Sequence, residues 1–177
     1  MKIKPWIFTM LLGLPVGAGA EELGAYAGVG LGEPSVAYGS SNMAFRILGG
    51  YKIHEFPLKN AGVIELAIQG EYVDFGNSTF TAATTWTNTG MSLAGIGSWV
   101  IPKKWADWAD EKLSVIVKVG GARVATKSNW GASFTYTGLT EGVGAEYRFT
   151  KPLGVRAMIE NYPNGYQILG VSGIFHF

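Results

Sequence analysis

Cysteine is absent and histidine occurs only twice in the 177 residues. No disulfide framework, thiolate metal site or cysteine nucleophile can be built from such a chain. Charge is scarce as well: Asp, Glu, Lys and Arg make up 15% of the residues, against roughly 25% in an ordinary soluble domain. With a formal charge of +1 and no basic run, nucleic acid is excluded as a partner. An internal apolar run of the ~20 residues that a spanning helix needs is also missing. What is abundant is glycine, at 26 residues, together with 6 Trp, 8 Tyr and 9 Phe in a chain that is 47% hydrophobic. The length suits one domain plus a processed segment. Apolar, glycine-rich and aromatic, without a spanning helix, the composition points to a membrane crossed by strands.

The first 20 residues account for part of the apolar excess. Lys2 and Lys4 precede an apolar stretch from Trp6 to Val16, and Ala18-Gly19-Ala20 supplies small residues where a signal peptidase reads. The stretch is too short to span a bilayer and Pro15 interrupts it. Residues 1–20 are therefore expected to be a cleaved secretory signal, with the mature domain over 21–177. Removing Lys2 and Lys4 turns the charge balance from +1 to −1.

Along the rest of the chain the period is two. Leu23, Ala25, Ala27, Val29 and Leu31 alternate with Gly24, Tyr26, Gly28, Gly30 and Gly32, so one face is apolar and the other mostly glycine. The same alternation recurs from Met43 to Ile53, Ile64 to Tyr72, Thr89 to Ile101, Leu113 to Gly120, Gly142 to Phe149, Val155 to Glu160, and Ile168 to Phe177. Polar or turn-rich connections fall at 33–42, 54–62, 76–88, 102–112, 126–137, 150–152 and 162–166. Eight strands of about ten residues fit the span of tilted strands, and an even number can close without a free edge. The predicted fold is all-β, an eight-stranded antiparallel up-and-down transmembrane β-barrel. A soluble eight-stranded barrel would carry its apolar face inward around a ligand. Two features favour lipid outside: charged strand residues share the glycine face, and Tyr51, Tyr72, Trp99, Tyr147 and Phe149 gather near strand ends.

Here the chain resembles a family, the small Gram-negative outer-membrane barrels of the OmpA/OmpX type, also called porin-family proteins. Gly70-Glu71-Tyr72 with Phe75-Gly76, Lys118-Val119-Gly120 and Gly144-Ala145-Glu146-Tyr147 look like that family's recurrent strand patterns. The resemblance implies an outer-membrane location with lipid and lipopolysaccharide as surroundings. It also implies that the last strand, with Phe175 and Phe177, is the signal for the barrel-insertion machinery, and that both termini are periplasmic.

Nine charged residues fall on the inward face: Arg46, Lys52, Glu65, Glu71, Lys118, Glu146, Arg148, Arg156 and Glu160. Across the second hairpin, Lys52 with Glu65 and Arg46 with Glu71 share the constant residue-number sum 117, so one register would oppose both pairs. Glu146 and Arg156 flank the next-to-last turn symmetrically. Charges in a nearly dry lumen are tolerated when paired, and an eight-stranded barrel is only wide enough for its side chains to fill. The expectation is a filled, ion-paired lumen in a structural or surface-interaction protein. A narrow ion channel is the second reading and a lipid A-modifying hydrolase the third.

No catalytic, cofactor or metal residues are assigned. His54 and His176 have no serine two residues away, and Gly28-Val29-Gly30-Leu31-Gly32 lacks the spacing and helix of a dinucleotide fingerprint. Trp105 and Trp108 among charged residues read as an interfacial turn. The stretches 76–88 and 126–137 combine aromatics with hydroxyls and are where an extracellular ligand would bind; they equally suit an upper aromatic girdle.

Overall fold

Strands alternating Val, Ile, Leu and aromatics with small residues fit a pleated surface having two different environments. The computed structural model describes residues 24–35, 40–41, 43–81, 84–105 and 112–177, and the signal segment lies outside them. Eight long strands are present: β1 Ala25–Ser35, β2 Ala44–Leu58, β3 Gly62–Thr81, β4 Thr84–Val100, β5 Leu113–Ser128, β6 Ser133–Arg148, β7 Leu153–Tyr162 and β8 Tyr166–His176. Each is antiparallel to the next; β1 pairs with β8, as Tyr26 with His176, and the ring is closed. A two-residue segment, Ser40–Ser41, adds to β3 beside Ser78 and Thr79. Closure pairs the backbone within the sheet, which lipid demands because it offers no hydrogen bonds.

Which face is outside is settled by burial. Strand β7 alternates exposed and buried residues along its whole length, and Gly154, Arg156, Met158, Glu160 and Tyr162 are the buried ones. Leu93 is 64% exposed, Leu139 65% and Leu169 58%, whereas Lys118 and Glu160 are 0%. A continuous apolar outer belt around a charged interior is the inverse of a soluble barrel.

The inner face is crowded, and glycine relieves the crowding. A side chain at Gly30 would collide with the Ser172 Oγ and lie 3.0 Å from the Arg46 Nε. At Gly90 a Cβ would sit 2.8 Å from the Phe75 ring.

Three expectations are corrected. Residues 76–88 and 126–137 are mostly strand: β3 runs to Thr81 and β4 begins at Thr84, while β5 runs to Ser128 and β6 begins at Ser133. Their Thr and aromatic residues favour strands, and the hairpins continue pairing beyond the apolar belt. The turn expected over 54–62 contracts to residues 59–61, because β2 continues to Leu58. The register of the second hairpin differs by two residues from the constant sum 117: Leu48 faces Glu71, Arg46 faces Val73 and Lys52 faces Ala67. A bulge between Lys52 and His54 and a turn with left-handed Asn60 (φ 66°) set it, and neither is visible in alternation.

Outward orientation has a direct consequence. Leu93→Arg is expected to cost about 2–4 kcal/mol if the position lies near mid-bilayer, read by urea unfolding in lipid vesicles. An unchanged transition would mean that Leu93 does not face lipid.

Candidate functional site

The lumen is built in layers by the inward residues of all eight strands. At the end holding Gly24 and Phe177, Glu146 of β6 faces Arg156 of β7 across the ladder. Its Oε2 accepts from Arg156 Nη2 at 2.7 Å and Nε at 2.9 Å. Its Oε1 accepts from Arg148 Nε at 3.0 Å and lies 2.9 Å from His176 Nε2. Arg148 Nη2 donates to Glu65 at 2.8 Å; Lys52 Nζ is 3.5 Å from Glu65 and closer to Glu55. Lys52, Glu65, Arg148, Arg156 and His176 border a cavity of about 330 Å³ that opens at this end and is also lined by Tyr26 and Ser98.

Next comes an apolar layer in which Leu48, Ile96, Ile116, Met158 and Ile174 are buried with Tyr26. One polar chain crosses it. Gln69 Oε1 accepts from Arg156 Nη1 at 2.8 Å and from the Tyr26 hydroxyl at 3.1 Å, while its Nε2 donates to Glu71 at 3.3 Å.

Beyond lies a buried quartet. Lys118 Nζ donates to Glu71 at 2.6 Å and to Glu160 at 2.7 Å. Arg46 Nη1 bonds Glu160 closely and is 3.9 Å from Glu71, while its Nε donates to Ser172 Oγ at 2.7 Å. The Tyr162 hydroxyl donates to the second Glu71 oxygen at 2.7 Å. Two cations and two carboxylates thus neutralise each other with every carboxylate oxygen engaged, the condition under which ions tolerate burial. Arg46 Nη2 and Ser92 Oγ are buried without a partner among the described residues.

A second apolar layer seals the quartet. The Phe75 ring is 0% exposed and packs edge-on against Tyr162 with centroids 5.3 Å apart, and against Tyr166 at 5.0 Å. Val73, Val124 and Ile168 complete it. Above, the Tyr166 hydroxyl donates to Asn88 at 2.9 Å and meets Thr126 at 3.0 Å; Asn88 also donates to Ser78.

All nine charged residues singled out in the sequence lie on the inner face, in two groups. Lys52, Glu65, Glu146, Arg148 and Arg156 are at the terminal end, and Arg46, Glu71, Lys118 and Glu160 are in the quartet. The expected pair Arg46–Glu71 is present at 3.9 Å although the two residues are not directly opposed; Glu71 is held more closely by Lys118 and Tyr162, and Arg46 by Glu160. Sequence reasoning missed Gln69, Tyr162, Ser172 and Phe75. Each sits at a position of inward parity, which was the available signal, but an uncharged side chain does not advertise a partner four strands away. Among the described residues no three His, Asp or Glu side chains gather as a metal-binding group.

Removing one member of the quartet leaves an opposite charge buried. Glu71→Gln is expected to lose a few kcal/mol, at most about 5, and Lys118→Met a similar amount. The double variant should recover much of this, with a coupling above ~0.5 kcal/mol in a urea-unfolding cycle. Additive effects would show that the pair is solvated.

The described geometry fits what comparison finds. The model of the outer membrane protein beta-barrel domain matches residues 6–167. No curated protein matches the chain in sequence. The N-terminal β-barrel domain of Pseudomonas aeruginosa OprF is similar in structure with a TM-score of 0.54 at 18% identity, over 87% of this chain and 98% of that one. Neisserial surface protein A gives a TM-score of 0.55 at 14% identity, over 86% and 96%. The outer membrane enzyme PagL gives 0.55 at 10% identity, over 86% and 99%. At these identities the likeness shows a shared fold and nothing finer. The chain belongs to the outer membrane protein β-barrel domain family and crosses the outer membrane with its eight strands.

Proposed function

We propose that this protein is a non-conducting barrel that serves as a rigid mount for structures on the cell surface. The observation that carries the reading is the sealed quartet: Lys118 and Glu160 are 0% exposed between two apolar layers. Ions cross a narrow lumen only where it is wetted, and apolar constrictions resist wetting. The strand hairpins 62–100 and 113–148 extend past the apolar belt and supply the surface for interaction. A narrow channel is the second reading, favoured by the polar chain through Gln69 that links the open cavity to the quartet. A hydrolase is the third; against it, among the described residues neither His176, bonded to Glu146 with its ring tilted against Tyr26, nor His54, edge-on to Phe56, bonds a serine hydroxyl.

Planar bilayers containing the purified barrel should show no discrete conductance steps, and Glu71→Gln alone should not create them, because the Phe75 layer stays in place. Steps in the unmodified protein, with selectivity altered by Glu71→Gln, would establish the channel instead. A change in lipid A mass on overexpression would establish the hydrolase.

The proposed topology puts the termini and the 59–61 turn in the periplasm. Thr87→Cys should then react with an impermeant maleimide on whole cells, and Lys59→Cys should not. Phe175 and Phe177, whose rings pack at 4.9 Å, are proposed as the insertion signal. In the same cells Phe177→Ala should lower the folded amount in the outer membrane; reversed labelling or an unchanged yield would overturn these two assignments respectively.

A further inference from the structure

Trp86, Trp130 and Phe134 of the protruding hairpins do not form a girdle. Trp86 of β4 shares its face with buried Asn88, and faces buried Ser128 across the β4–β5 ladder. Phe134 of β6 faces buried Thr126. Both side chains therefore lie on the inner face of the sheet, above the barrel mouth. At the same level the outer face carries Thr85, Thr87, Lys127, Ser133 and Thr135, which belong in water and not in lipid. Trp130, at the tip of the β5–β6 hairpin, joins them. The Trp86 ring centroid is 6.1 Å from Trp130, nearly perpendicular to it, and 5.9 Å from Phe134. Trp130 is 68% exposed and Phe134 51%.

Three aromatic rings held against water need a use. Two properties define their partner. First, charge is absent: residues 76–88 and 128–136 contain no Asp, Glu, Lys or Arg, and Lys127 lies on the opposite face. Electrostatics thus offers nothing to an anionic or cationic ligand, while Thr84, Ser128 and Tyr136 share the inner face with the rings. Second, the patch is small. A large aromatic side chain presents about 150–250 Å², so rings exposed to this degree offer about 300 Å² together, well below the ~800 Å² per partner of a stable protein interface. Apolar ring faces beside uncharged hydroxyls match a pyranose, which has C–H groups on its faces and hydroxyls around its edge.

We propose that the Trp86–Trp130–Phe134 patch binds an uncharged oligosaccharide at the cell surface. The proposal rests on the surface-interaction reading above, but its failure is distinguishable. A barrel that fails to conduct and is labelled at Thr87→Cys, yet binds no sugar, refutes the ligand and leaves the mount.

The purified full barrel in nanodiscs is titrated with neutral oligomers of glucose, galactose and N-acetylglucosamine, with heparin as the anionic comparison, following tryptophan fluorescence and calorimetric heat. At least one neutral series is expected to bind, with affinity insensitive to salt because no charges are there to be screened. Trp130→Ala and Phe134→Ala should each weaken it at least ~10-fold, equivalent to about 1.4 kcal/mol. Trp105→Ala, at the opposite end of the barrel, should not change it. Trp130 is outside the packed lumen, so its variant should keep the unmodified unfolding transition; Phe134→Ala provides the second test should it not. No binding by any neutral series, binding of heparin alone, or equal losses from Trp105→Ala would overturn the proposal.

Discussion

Closing the strand ring satisfies the backbone in lipid, and the same closure creates the main difficulty of this protein. Eight strands enclose a space about as wide as the side chains that line it. Whatever points inward must pack, and whatever is charged inside must find its opposite without help from bulk water. The quartet of Arg46, Glu71, Lys118 and Glu160 is the solution at mid-height, with Tyr162 donating to Glu71 and Ser172 accepting from Arg46. Strands β2, β3, β5, β7 and β8 all contribute to it, so it ties distant parts of the ring together through its centre.

Glycine and bulk divide the interior between them. The glycine positions of β1 leave room for Arg46 and Ser172, and Gly90 leaves room for the Phe75 ring. Large apolar side chains form two layers, one on each side of the quartet. Desolvation strengthens the ion pairs and makes an unpaired member more costly. The open cavity near His176 shows the contrast: Lys52 and Arg148 there are 25% and 30% exposed, and their pairs are correspondingly weaker supports.

Above the belt the demands relax. The outer surface turns polar, the inner surface opens, and side chains no longer have to fill a lumen. Aromatics on the inner face at this height are free of the sealing role that Phe75, Tyr162 and Tyr166 carry lower down.

Alternation alone carried much of this structure. The two-residue period of stretches such as Leu113 to Gly120 and Val155 to Glu160 sufficed for the strands, their number and the set of nine charges sharing one face. A strand's side-chain direction is a local property of the pleat, so one sequence suffices to read it. Alternation could not decide the partners. Arg46 was matched to Glu71 through an assumed hairpin register, but the bulge after Lys52 and the left-handed turn at Asn60 moved that register by two residues. Glu160 and Lys118 then reached the quartet from strands far away in the chain. Nor could it show Gln69 bridging two charge clusters, or Trp86 facing inward above the membrane instead of joining a girdle. Face is decided by each residue's own backbone. Partnership across a closed lumen is decided by register, bulges and the height to which each hairpin rises, and those exist only once the ring has formed.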